Sequence, residues 1–231
     1  MASVGVRVWD LPLRLFHWLL AALVVVALFT GDAAGEWLYW HRLAGLSILW
    51  LLVFRLSWGF CGPTYARFAT FAPTPSSLMT YFRGQWHGEG HSPLAALSVF
   101  AMLLALLLQV SFGVFARDDT GFMGPLSSLL TMTQAERVTD WHELNANIVF
   151  LLVLLHISAI IYYRLFCQQS LVLPMITGVK KDSTAPATTG GGAKALIVSV
   201  LLATIAVVAV LQAGAPKNTP TDAAPVLTPA W

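Results

Sequence analysis

The stretch Thr139 to Phe166, TDWHELNANIVFLLVLLHISAIIYYRLF, carries two histidines, His142 and His156, fourteen residues apart in an otherwise apolar run. On an α-helix fourteen steps fall about 40° short of four full turns and rise roughly 21 Å, so both imidazoles face the same way. In an apolar slab about 30 Å thick, one ring lies near the start of the span and the other deep in its second half. An ionisable residue inside a span is costly and usually faces a protein interior where it has a function. Two in register suit two stacked cofactors.

The composition agrees with a membrane setting. Of the 231 residues 57% are hydrophobic and only 10% charged, with a mean hydropathy of +0.72, where a soluble domain carries about 25% charged residues. Five apolar blocks are long enough to cross a bilayer: Leu13 to Phe29, Leu38 to Phe60, Leu94 to Phe115, Leu144 to Phe166 and Ala195 to Leu211. The first block sits near the N-terminus, but Trp9, Asp10, Pro12 and Arg14 ahead of it and the lack of an Ala-x-Ala site after it fit a retained span better than a signal peptide. A formal charge of +2 is too mild for a nucleic-acid partner; the lipid bilayer is the partner that the composition calls for.

Counting Lys and Arg by loop sets the orientation. With the N-terminus inside, Arg7, Arg14, Arg55, Arg67, Arg83, Arg164, Lys180, Lys181 and Lys194 lie on the inner side, and Arg42, Arg117, Arg137 and Lys217 outside. The acids run the other way: Asp32, Glu36, Asp118, Asp119, Glu136, Asp140, Glu143 and Asp222 are outer. The expected topology is N-in, C-out, with Cys61 and Cys167 near inner helix ends and no disulfide. STAPATTGGGA after Lys181 reads as a flexible linker, and Ala215 to Trp231 as an outer tail.

Six histidines are present: His17, His41, His87, His91, His142 and His156. With this orientation His17 and His156 share the inner depth, and His41 and His142 the outer depth. Two bis-histidine sites result, and imidazole pairs that leave no open position are typical of electron-carrying haem. Ala21, Gly45, Ala146 and Ala159 lie about one turn from the four ligands and leave room beside them. Arg14 and Arg42 are read either as partners of haem propionates or as helix-end anchors. His87 and His91 lie in the inner loop, where Gly88, Gly90 and Pro93 argue against a metal-binding helix; a loop-closing role, or one beside a quinone or propionate, is the minor reading of His91. There is no C-x-x-C-H for a c-type haem, no G-x-G-x-x-G and no P-loop.

VWDLPLRLFHW at Val8 to Trp18, FRLSWGFCGPTYARFATF at Phe54 to Phe71, GHSPLAALSV at Gly90 to Val99, and WHELNAN with LLHI at Trp141 to Ile157 resemble the bacterial cytochrome b561 family. They are most similar to the branch grouped with the b-type cytochrome subunits of nickel-iron hydrogenases. The resemblance covers roughly residues 6–181. It implies an all-α four-helix membrane bundle over 1–181 holding two b haems, with His17, His41, His142 and His156 at the ligand positions. The linker 182–194, the fifth helix 195–213 and the tail 214–231 lie outside that pattern.

The expected function is transmembrane electron transfer in the bacterial inner membrane, between quinone and a periplasmic redox partner such as a c-type cytochrome or a hydrogenase-like enzyme. The alternatives are a stand-alone quinone oxidoreductase acting on a small substrate such as superoxide, and a non-redox membrane anchor.

Overall fold

The computed structural model describes residues 5–31, 35–86, 92–119, 121–180 and 188–215. The chain is mostly helical. Five helices are long and apolar enough to cross a membrane: α1 (Leu11–Thr30), α2 (Glu36–Cys61), α5 (Pro93–Phe115), α6 (Met132–Leu165) and α8 (Gly192–Ala213). Between them lie the short helices α3 (Phe68–Phe71), α4 (Pro75–Phe82) and α7 (Val172–Thr177). The strands β1 (Val6–Arg7) and β2 (Val179–Lys180) pair antiparallel.

Local chemistry sets the starts of α1, α5 and α6. The Asp10 carboxylate accepts from the Leu13 backbone N–H at 2.7 Å and caps α1, with Pro12 in the first turn where its missing N–H costs nothing. Ser92 caps α5 in the same way, and Pro93 begins that helix. α6 starts twelve residues before the apolar block expected at Leu144. Thr131 accepts from the Gln134 N–H, and Gln134 reaches back to the Thr131 N–H, a capping box that nucleates the helix in polar sequence. At 34 residues α6 is about 51 Å long, so it exceeds the apolar slab and its first turns project beyond it. There Thr139 clips the loop by bonding both the N–H and the carbonyl of Arg117, at 3.0 and 2.9 Å.

α2 is the central element. It runs alongside α1, α5 and α8, whereas α6 runs along α5; of the five long helices α2 is the most buried. Trp50, Phe54 and Trp58 stack down it one turn apart, with successive ring centres 5.8 Å apart. Arg55, only 2% exposed, donates to the Ala66 carbonyl at 3.1 Å and lies 4.5 Å above the Phe68 ring. A buried guanidinium costs several kcal/mol unless its donors are occupied; here it ties α2 to the loop that follows. Trp58 also donates to the Asp10 carboxylate at 3.3 Å, joining the end of α2 to the start of α1.

The segment after α6 closes the same end of the bundle. The Gly178 carbonyl accepts from Val8 and Trp9, and a Cβ at Gly178, where φ is +81°, would lie 2.6 Å from the Trp9 carbonyl oxygen. Trp18 donates to the Met175 carbonyl at 3.3 Å, and Arg14 to that of Ile176.

The linker expected over 182–194 falls partly outside the described residues, as do His87, His91, Asp32 and most of the tail. Its far end is anchored. Thr189 and Thr64 bond through backbone and side chains, and Gly190 bridges Pro63, on three successive glycines at positive φ. α8 then packs along α2, and two polar residues of this apolar helix, Ser199 and Thr204, bond to it. Ser199, fully buried, donates to Ser57 at 3.1 Å, and Trp50 donates to Thr204 at 3.1 Å. Cys61 and Cys167 are both free.

Ser199 Oγ lies 3.5 Å from Cys61 Sγ. Ser199→Cys is therefore expected to form a disulfide with Cys61 under mild oxidation in membranes. With a protease site placed in 182–187, the cleaved halves should then stay together on a non-reducing gel and separate on reduction. Halves that separate without reductant would show that α8 does not sit on α2.

Candidate functional site

The structure brings the four span histidines together in two pairs. His17 on α1 faces His156 on α6 with ring centres 6.4 Å apart, and His41 on α2 faces His142 on α6 with ring centres 6.0 Å apart. These are the pairs that depth along the spans predicts. The helices that carry the first pair have different main neighbours, α1 lying along α2 and α6 along α5.

The spacing can be compared with what an intervening metal needs. An imidazole nitrogen binds a metal ion at about 2 Å, and the ring centre lies about 1 Å behind that nitrogen. Two coaxial imidazoles sharing one ion therefore have centres roughly 6 Å apart. Both pairs match.

The hydrogen bond at one nitrogen of a ring sets which of the two carries the proton. His41 Nδ1 lies 3.0 Å from the Ala27 carbonyl and 3.3 Å from the Thr30 hydroxyl. Ala27 is in the last turn of α1, and its carbonyl also receives the Thr30 hydroxyl at 3.4 Å. His142 Nδ1 lies 3.0 Å from the Gln109 carbonyl on α5. A carbonyl only accepts, so both Nδ1 atoms carry the proton and both Nε2 atoms keep the lone pair that a metal requires. This outer bond also fixes ring orientation and raises ligand basicity.

Several other features fit a flat macrocycle at these positions. Gly45 lies one turn after His41, and a Cβ there would meet nothing within 4 Å. Glycine inside a helix costs roughly 1 kcal/mol relative to alanine, and no neighbour among the described residues accounts for that cost. Gly113 has the opposite role, since a Cβ there would lie 2.9 Å from His142 Cε1; the ring is seated where a side chain would otherwise be. Phe122, from the loop after α5, meets His41 edge to face at 5.9 Å. At the other pair His17 Nδ1 is buried without a hydrogen-bond partner. The residues present fit two bis-imidazole haems.

The two arginines differ. Arg14 spends one donor on the Ile176 carbonyl and keeps a buried Nε without a partner. Arg42 is exposed. Sequence reasoning missed Gln109, Asn145, Thr30 and Gly113. Asn145 is buried and donates to the Ala105 carbonyl at 2.9 Å and to Gln109 Oε1 at 2.6 Å. The available signal was that Gln109 is the only amide in α5 and that Asn145 lies one turn from His142.

Comparison with known proteins adds the following. The family model described as prokaryotic cytochrome b561 matches residues 8–178. The chain is 25% identical over 219 residues to the probable Ni/Fe-hydrogenase B-type cytochrome subunit of Azotobacter vinelandii, covering 76% of this chain and 88% of that one. The protein of the same name from Rhizobium leguminosarum bv. viciae is 23% identical over 215 residues, with 75% and 88% covered. The probable Ni/Fe-hydrogenase 1 B-type cytochrome subunit of Escherichia coli K12 is 20% identical over 212 residues, with 75% and 89% covered. No solved structure gives a significant match.

Single replacement of each histidine by alanine tests the pairing. His17→Ala and His156→Ala should abolish one and the same spectroscopic component in a potentiometric titration, while His41→Ala and His142→Ala abolish the other. Loss of a shared component in His41→Ala and His156→Ala would break the arrangement.

Proposed function

This chain belongs to the prokaryotic cytochrome b561 family, and we propose that it carries electrons across the bacterial inner membrane through two bis-histidine b haems, between the quinone pool and a periplasmic redox partner. The observation that carries this reading is the pair of imidazole couples, 6.4 and 6.0 Å between ring centres, set roughly 21 Å apart along α6. One couple near each surface makes a path; a single couple would not cross the slab. A haem b held by each couple supplies one-electron ferric/ferrous chemistry with no vacant coordination position.

The chain's own residues divide the remaining work. His17 and His156 would hold the inner group, and His41 and His142 the outer one, the latter two with Nδ1 protons committed to backbone carbonyls. The unpartnered Nε of Arg14 suits an inner propionate, and Arg42, next in sequence to His41, an outer one. α2 packs against α1, α5 and α8 and so holds His41 at the middle of the bundle. The N-in, C-out topology rests on the bias of basic residues toward one side. In domain terms we assign the di-haem bundle to 1–181, a linker to 182–194, an anchoring helix to 195–213 and a periplasmic tail to 214–231.

The names of the relatives point to a hydrogenase-like enzyme as the class of partner. The acids Glu36, Asp118, Asp119, Glu136, Asp140 and Glu143 gather on the proposed outer side, where they would steer a basic docking surface.

Purified full-length protein should contain two haem b per chain by pyridine haemochrome assay, and a content of one or none would overturn the two-centre reading. The acidic face makes a separate expectation. Reduction by a basic periplasmic electron carrier such as a cationic c-type cytochrome should slow severalfold as the screening length falls from about 10 Å at 0.1 M salt to about 3 Å at 1 M. A rate indifferent to salt would remove electrostatic docking.

A further inference from the structure

We propose that Gln109 on α5, braced by Asn145, is a positioning residue that sets the reduction potential of the His41–His142 centre independently of the His17–His156 centre; this rests on the two-centre reading above. α5 contributes no histidine, yet it forms the wall against which His142 is seated. Its Gln109 carbonyl accepts the Nδ1 proton at 3.0 Å, and Gly113, one turn on, leaves the space that the ring fills.

The direction of the amide network follows from one backbone atom. The Ala105 carbonyl can only accept, so the Asn145 group 2.9 Å from it is the NH2 end. That same nitrogen lies 2.6 Å from Gln109 Oε1, so it donates its second hydrogen there. With its oxygen occupied by Asn145, Gln109 must turn its own NH2 toward His142. The Gln109 amide nitrogen is 3.3 Å from Nδ1 and 3.1 Å from Nε2. Near-equal reach to both ring nitrogens puts it beside the N–C–N portion of the ring and off either lone-pair axis, so it does not compete for the metal-binding position.

The result is a fixed dipole with its positive end on one ligand of one centre. A positive end beside an axial ligand favours the form of the centre with the extra electron, and hydrogen bonding around the ligands is among the levers that tune such potentials. Among the described residues the other couple has no such arrangement. Among the described residues His17 Nδ1 is buried with no hydrogen-bond partner at all. Neither Gln109 nor Asn145 touches the proposed metal position, so both act through His142.

The test is a potentiometric titration of full-length, haem-loaded protein followed by haem absorbance, with the two components assigned by the His41→Ala variant. Gln109→Leu should lower the potential of the His41–His142 component, or cost that component alone, and leave the other unmoved. Asn145→Leu should shift the same component in the same direction while keeping the His142 backbone contact, and it carries the test if Gln109→Leu does not assemble. The double variant should shift no further than Gln109→Leu, because the brace acts only through the amide that it orients. A potential unchanged in both single variants, equal shifts of both components, or additive shifts in the double variant would overturn the proposal. A wild-type protein with only one component would instead overturn the two-centre reading, so the two failures are distinguishable.

Discussion

An imidazole placed in an apolar slab has two nitrogens and no water to satisfy them, and the arrangement of this bundle follows from that constraint. At the His41–His142 couple each ring gives its Nδ1 proton to a backbone carbonyl, Ala27 on α1 and Gln109 on α5. Two helices that supply no histidine to that couple are thereby fixed in rotation and depth relative to the two that do. The Ala27 carbonyl lies in the last turn of α1, beside the imidazole, and His142 fits because residue 113 is glycine. Histidine position, helix length and a missing side chain are one geometrical condition.

The His17–His156 couple is held differently. His17 Nδ1 is without a partner, and the surroundings of this couple are set by the chain that closes over the start of α1. The β1–β2 pair, the Gly178 turn, and the bonds from Arg14 and Trp18 to the carbonyls of Ile176 and Met175 link the N-terminal segment to the residues that follow α6. The two helices that carry this couple are therefore joined by main-chain bonds just beyond their ends. The two couples thus differ in the hydrogen bonds that hold their rings, which a shared residue type does not reveal.

α8 shows how weak polarity becomes structure in an apolar setting. Its sequence is almost wholly aliphatic, and Ser199 and Thr204 look incidental. Both are used: Ser199 bonds Ser57 inside the α2 interface, and Thr204 receives the Trp50 N–H. Small side chains let helices approach closely in a membrane, and hydroxyl groups find partners across the contact. The central position of α2, with neighbours on three sides, depends on this helix as much as on α1 and α5.

The sequence by itself determined the five spans, the family and which histidines meet. Each of these is a local property: hydropathy summed along a window, motifs read in order, and a helical repeat that converts residue spacing into depth. The start of α6 was missed because residues 132–143 are too polar for a hydropathy reading, although the Thr131 and Gln134 capping pair lay in plain view. The amide network, the seat at Gly113 and the placement of α8 were decided only by tertiary structure. Gln109 and His142 are 33 residues apart, Ala105 and Asn145 are 40, and Ser57 and Ser199 are 142. Periodicity says which residues share a face of one helix, but which face of the next helix meets it depends on how every helix is rotated when the whole bundle packs.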